Sequence, residues 1–507
     1  MNSSFVALAF ISVIVSVGAF IGLYAGTRRK MDLEQWTVGD RGFGMLLVWL
    51  LMAGEVYTTF TFLGASGWAY SKGAPVLYVL GYQPLMYVVS FFILPQVWEV
   101  GRKYRLQTQA DFFHVRYNNK YLAAFVALVG IIFIVPYLQL QLMGLGMIVE
   151  VASYGAIHRT PAMIISFVIV AAFVLTSGIR GVAWVSVLKD LLLLFSAVFV
   201  GLAIPYIYFG GIGRMFAELA RAKPAHLVMP GATTNLGHSW YISTVVLVAV
   251  GFYMWPQFFG ASFSAKSSDT LRRNAVVMPF YSITMPLMFF IGLAATLIVP
   301  GLTNGDLSML TMVRKTFPAW FLGLIGGAGA LTAMVPAGVM ILTAATLFAK
   351  NMCRPILWPG MTDQQVAKLA KITVLVITVA ALCSAIYSSP TLVALLLVGY
   401  GGVAQFFPGV VLGLYSKHVT MPGVFAGVVT GVAVFVALAL SKHDPAMGLN
   451  AGFIALCCNV AVVAAVSLLT PAQRGGFGEP SRASTGAPLS MSPKASINSR
   501  FLKCHLK

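Results

Sequence analysis

Long apolar runs alternate with short polar connections over almost the whole chain. A helix needs about 20 apolar residues to cross a bilayer. On that rule the pattern predicts thirteen crossing helices, over residues 4–26, 44–70, 75–98, 121–152, 160–178, 186–209, 239–263, 276–299, 318–349, 370–388, 390–415, 420–440 and 449–469. The second run, LLVWLLMAGEVYTTFTFLGASGWAY (Leu46–Tyr70), differs from the others. A knot of polar residues interrupts its middle: Gly54, Glu55, Tyr57, Thr58, Thr59 and Thr61. Backbone groups freed at that depth find no water, so irregular backbone there must line a cavity or be buried in protein. Pro136, Pro256 and Pro336 lie inside three other runs. Each removes a backbone hydrogen bond and predicts a kink.

Composition fixes the class. Of 507 residues, 59% are hydrophobic and 9% are charged, where a soluble protein carries roughly 25% charged residues. The fold class expected is all-α and polytopic in the membrane. The net charge of +19 would point to nucleic acid in a soluble protein. Here most Lys and Arg fall in short loops, so topology and anionic lipid account for them and no nucleic acid is expected. Alternating spans place about 24 Lys and Arg on one side and about 8 on the other, which makes the richer side cytoplasmic by the positive-inside rule. The expectation is a cell inner-membrane protein with its N-terminus outside and its C-terminus inside. Residues 1–43 read as a first helix with a cytoplasmic loop, and 416–470 as two peripheral helices. An external loop, 210–238, has a short surface helix expected over Arg214–Arg221. The Ser-, Pro-, Gly- and Lys-rich segment 471–507 reads as a disordered cytoplasmic tail. Five cysteines (Cys353, Cys383, Cys457, Cys458, Cys504) show no metal spacing. No Walker A, HExxH or G-x-S-x-G motif is present, so an enzyme is not expected.

Two stretches carry chemistry. If the second span opens at Gly54–Thr61, the carbonyls from Gly54 to Tyr57 become ligands for a hard cation, and the Thr hydroxyls, Thr58 and Thr61 among them, face a solute. The competing reading is an intact helix whose Gly and Thr allow close packing. Glu55 tilts the balance to a site, since acids inside a membrane are costly and usually functional. It is a candidate proton or second ion site, against a gate or packing role near the surface. In VGFYMWPQFFGASFSAK (Val250–Lys266), Pro256 breaks the helix beside Tyr253, Trp255 and Gln257, which suit solute binding. The competing reading is a proline kink with an interfacial aromatic belt. Each of these spans opens a group of five, 44–209 and 239–415, and broken helices at corresponding positions of two repeats point to a transport site. Gln83, Gln139 and Gln141 read as buried amides that reach solute or bond neighbouring helices, with helix bonding favoured for Gln141. Asp190 is open between an ion or proton site and a Lys189–Asp190 pair at the membrane edge, Lys189 snorkelling.

Four segments resemble the sodium:solute symporter family, in order and spacing: GASGWAYSKG (Gly64–Gly73), YRLQTQADFFHVRY (Tyr104–Tyr117), PQFFGASFSAKS (Pro256–Ser267) and GVAQFFPGVVLGLY (Gly402–Tyr415). The last carries Gln405, Pro408, Gly413 and Tyr415 of the family's ending. The resemblance implies a LeuT-type core of five plus five inverted-repeat helices. It also implies a sodium ion held by the carbonyls of the first broken helix and a Ser/Thr pair in core helix eight, ALTAMVPAGVMILTAATLF (Ala330–Phe348). The chain departs from that pattern, because Val335 and Pro336 stand where the hydroxyl pair belongs, with Thr332 one turn earlier. The cation set expected is Gly54, Tyr57, Thr332, Val335 and Pro336, with Na⁺ as the first choice of coupling ion, H⁺ as the alternative, and no cofactor.

The function expected is cation-coupled symport of a small polar organic solute, resembling the monocarboxylate or pantothenate branch, by alternating access. The alternative is a membrane sensor built on a transporter-like core. The expected partners are the solute and the lipid bilayer.

Overall fold

The computed structural model describes residues 2–27, 33–387 and 390–471. The basic cluster Arg28–Lys30 and the segment 472–507 lie outside them. Fifteen helices carry the architecture: α1 (Ser3–Ala25), α2 (Met45–Val56), α3 (Phe60–Lys72), α4 (Ala74–Tyr104), α5 (Lys120–Ala152), α6 (Arg159–Leu175), α7 (Gly178–Phe209), α8 (His238–Met254), α9 (Pro256–Ser262), α10 (Ser268–Ile298), α11 (Ala319–Leu357), α12 (Asp363–Tyr387), α13 (Leu392–Tyr415), α14 (Met421–Leu440) and α15 (Ala451–Leu469). Among the described residues there are no strands, only isolated bridges such as Phe43 to Ala265. Among the described residues ten helices are long and apolar enough to cross a membrane, or twelve when the bent pairs α2–α3 and α8–α9 each count as one span. The expected thirteen is not reached by that measure, and the difference falls on α6, a shorter apolar helix. Gly178, at φ +56°, separates α6 from α7. Its backbone turns there in a region that L side chains avoid.

Both broken spans bend where the sequence places the breaks. α2 and α3 meet at 54° and α8 and α9 at 53°. Tyr57 takes φ −98°, ψ 90° and Trp255 φ −57°, ψ 128°, so the helical path stops at each. Pro256 then starts α9, at the first helical position where its missing N–H is not needed. Pro136 and Pro336 behave differently: the helix continues through both. The short helix expected in the long loop is present as Ile212–Ala222, with Met215 and Leu219 buried.

α11 is the centre. Within its apolar window 89% of residues are buried inside the protein, against 22% for α1. A glycine lets α1 come close: a Cβ at Gly323 would lie 2.6 Å from the Ala7 carbonyl oxygen. Small residues of this kind let helices pack by close contact where lipid supplies no hydrophobic drive. The broken spans are tied to one another at one end. Phe43 N–H donates to the Ser264 carbonyl at 3.0 Å, and Lys266 N–H donates to the Phe43 carbonyl at 2.9 Å. Trp98 of α4 adds an indole bond to the Ala265 carbonyl at 2.8 Å. On the connection between α4 and α5, Thr108 and Asp111 form a capping box. Asp111 also holds Lys350 at the end of α11, at 2.6 Å. Burial works against the Asp111 carboxylate, but Lys350 and the bonds from Gln107 and Asn351 hold its pKa below the ordinary range.

At the opposite end, Asp306 lies in the connection between α10 and α11 and is buried. Its carboxylate accepts from the Leu392 N–H at 3.0 Å. Its backbone packs on α3 so closely that a Cβ at Gly67 would meet the Asp306 Cα at 2.7 Å. Burial pushes the carboxyl up to about 6 from 3.8, with the Leu392 N–H and Arg159 opposing. The folded state therefore holds this proton more tightly than the unfolded chain does. The contribution to stability is complete below about pH 4 and is lost as pH rises through about 6. A shift of that size corresponds to about 2–3 kcal/mol. Asp306→Asn keeps an acceptor for Leu392 and removes the charge. Its melting temperature in detergent is expected to fall less than that of the wild type between pH 5 and pH 8; parallel curves would contradict the assignment.

Candidate functional site

The first break exposes carbonyls, and a side chain answers them. Lys189 of α7 is fully buried. Its ammonium donates to the carbonyl oxygens of Gly54 at 3.0 Å and Tyr57 at 2.8 Å. The third partner is Asp190 Oδ1 at 2.8 Å. Tyr281 of α10 donates to the Asp190 carbonyl at 3.1 Å and approaches Oδ1 at 3.4 Å. Gly54 makes this approach possible, because a Cβ there would sit 2.6 Å from Ser186 Oγ, one turn before Lys189. The Lys189–Asp190 pair is present, but the expected snorkelling of Lys189 is overturned. Its stem runs inward to released backbone and does not snorkel, because unpaired carbonyls in a dry interior attract a donor strongly. Asp190 lies beside the two carbonyls expected to hold a cation.

The face of α11 offers less oxygen. Val335 and Pro336 are buried, and Val335 lies 3.7 Å from where a Gly54 Cβ would be. The Thr332 hydroxyl donates to the Ala328 carbonyl of its own helix at 2.8 Å.

Polar side chains surround both breaks. Gln141 of α5 accepts from the Thr59 hydroxyl at 2.6 Å and from its N–H at 3.3 Å, which pins the first break. Tyr57 bonds Tyr87 and Ser282, each at 3.0 Å. Tyr137 of α5 bridges the two breaks. Its hydroxyl reaches Thr58 Oγ1 at 3.5 Å, and its ring centroid is 4.9 Å from that of Trp255. Trp255 also packs edge-on to Tyr400, and Tyr253 against Phe252 and Phe258. Both Glu55 oxygens, the Thr61 hydroxyl and both polar atoms of Gln83 and of Gln257 are buried with no protein partner. Groups of this kind are costly to leave unpaired, so each calls for an explanation. Gln257 also lines a narrow cleft with Thr108, Thr343 and Thr346, at the end where Asp111 meets Lys350.

Gln139 turns away from this group. Its Oε1 accepts from the Ser384 hydroxyl at 2.7 Å and its Nε2 donates to the Ser384 carbonyl at 3.3 Å. That is a bond between α5 and α12. Sequence reasoning missed Tyr137, Tyr281 and the inward course of Lys189. Pro136 next to Tyr137 and the Lys–Asp dipeptide were the available signals.

Two interrupted membrane helices joined through one polar cluster define a secondary transporter, the class in which broken helices build the solute and ion sites. The comparisons make that specific. The model of the sodium:solute symporter family matches residues 36–431, and the chain belongs to that family. With membership come its class terms: transmembrane, transport, symport and sodium transport. The chain is 43% identical over 477 residues to the uncharacterized symporter YhjB of Bacillus subtilis, covering 92% of this chain and 97% of that protein. It is 29% identical over 483 residues to a monocarboxylate transport permease protein of Rhizobium johnstonii, covering 92% and 96%. A sodium-coupled sialic acid symporter, solved in a substrate-bound outward-open state, matches with a TM-score of 0.76 at 18% identity. That match covers 94% of this chain and all of the other, and the fold is of the LeuT type.

Gln141→Leu removes the acceptor that Thr59 uses in the break. Leaving those buried donors unpaired costs about 1–3 kcal/mol. A melting temperature several degrees lower in detergent is expected, and an unchanged one would contradict the bond's role.

Proposed function

We propose that the protein is a secondary active transporter that couples a cation to the movement of a small polar organic acid, a monocarboxylate being the first choice. The observation that carries this reading is the pair of breaks at Tyr57 and Trp255, linked by Tyr137 and bordered by unpartnered buried polar groups. The Rhizobium relative named for monocarboxylate transport supports the choice of solute. A helix N-terminus at the first break, where α3 begins, also favours a carboxylate there, because its N–H groups and dipole attract negative charge. Thr58, Thr61, Trp255 and Gln257 are the side chains proposed to meet the solute.

In this reading the segments 44–209 and 239–415 are two repeats that rock against each other, opening the site to one side and then the other. Coupling requires that ion and solute prefer the same conformation. The asymmetry of Lys and Arg supports an orientation with the N-terminus outside and the C-terminus inside, in a cell inner membrane. Glu55 is proposed as a proton or second ion site, since an acid enclosed without a partner is a costly arrangement to keep.

Proteoliposomes holding the purified protein test this directly. Labelled acetate, lactate, pyruvate and pantothenate are offered under imposed Na⁺ and H⁺ gradients separately. Accumulation of one of them above equilibrium is expected under at least one gradient, with uptake by Glu55→Gln at least tenfold slower. Absence of flux for every solute would sink the transport reading. Normal uptake by Glu55→Gln would remove that residue from the mechanism.

A further inference from the structure

The family resemblance assigns a sodium ion to the carbonyls of the first broken helix, and in this chain a side chain already sits there. We propose that the ammonium of Lys189 is a tethered cation that holds this site permanently, so that no sodium ion binds between Gly54 and Tyr57. The inference deepens the transport reading of the same site and rests on it for its functional meaning.

Four observations carry it. An ammonium has three N–H donors, and here each has an acceptor within 3.0 Å: the Gly54 carbonyl, the Tyr57 carbonyl and Asp190 Oδ1. The nitrogen is thus fully satisfied with nothing further bound. Gly54 and Ser186 bring α2 and α7 into contact one turn before the lysine, which puts the two carbonyls within its reach. The facing helix has surrendered its oxygen ligands, with Val335 and Pro336 at the expected pair and the Thr332 hydroxyl engaged on Ala328. Charge is balanced locally, since the positive lysine faces Asp190, with Glu55 and Tyr281 as the other titratable groups about the pair. A free sodium ion would have to displace a covalently attached cation of the same sign from ligands it already fills. A tethered cation cannot leave with the solute. The carbonyls released by the break are then held in both halves of a transport cycle by the same atom, and coupling falls to another group or another ion position.

Equilibrium binding of radioactive sodium to the purified full-length protein in detergent tests the proposal. The wild type is compared with Lys189→Ala, which empties the seat while keeping Asp190 and both carbonyls. The variant is expected to bind about one more sodium ion per chain than the wild type, saturably. Equal stoichiometry in two folded proteins, or a lower value in the variant, overturns the proposal. If the variant does not fold, cryo-electron microscopy of the wild type in sodium and in choline buffer decides. The expected result is Lys189 Nζ on both carbonyls in each; a lysine withdrawn from them in sodium overturns it. Lack of solute uptake in liposomes would sink the transport reading while leaving these sodium measurements valid.

Discussion

A carbonyl released inside a membrane must be answered, and the rest of this structure follows from how the answers are given. The break after Val56 frees the carbonyls of Gly54 and Tyr57, and Lys189 takes both. Breaking a buried ion pair by removing one partner costs about 3–5 kcal/mol, because a charge is left uncompensated. Lys189 and Asp190 are adjacent in sequence, so α7 delivers both charges at once and the site is neutral from the start. Two unit positive charges about 3 Å apart repel by about 5 kcal/mol at an effective dielectric of 20. A second cation at the same point is therefore strongly opposed.

The second break is answered in a different currency. Trp255 and Pro256 stop α8 and start α9, and aromatic rings crowd the opening in place of charge. Tyr137 touches both regions from α5. Backbone bonds through Phe43 and Lys266 link the ends of the two broken spans. These bonds tie the two broken spans at one end, which suits the rocking proposed above.

Much of this was legible in the sequence because it rests on local rules. Apolar length gave the crossing helices apart from α6, and the knot at Gly54–Thr61 and Pro256 gave both breaks. Only the resemblance to the family made Val335 and Pro336 read as a missing hydroxyl pair. The rest depends on tertiary direction, which periodicity does not carry. The choice between an ion or proton site and a snorkelling pair at Lys189–Asp190 stayed open because the depth of Lys189 depends on the approach of α2, and that approach is set by Gly54 and Ser186 on separate helices. Gln139 and Gln141 look alike in sequence, yet one bonds α12 and the other the first break. Two residues apart, they leave the helix in different directions, about 200° from each other by its 3.6-residue turn. Pro136 and Pro336 show the converse: a proline permits a break, but enclosing neighbours decide whether the helix continues.

The central claim is that the two breaks face one shared pocket. Solute protection of single cysteines tests it most directly. Cysteines are placed at Thr61 and at Gln257, one at a time, in a chain whose own cysteines are replaced. The rate of modification by a membrane-permeant thiol reagent is then measured against solute concentration. The account predicts that the transported solute slows both rates with the same half-maximal concentration. Protection of one position with none at the other would contradict it.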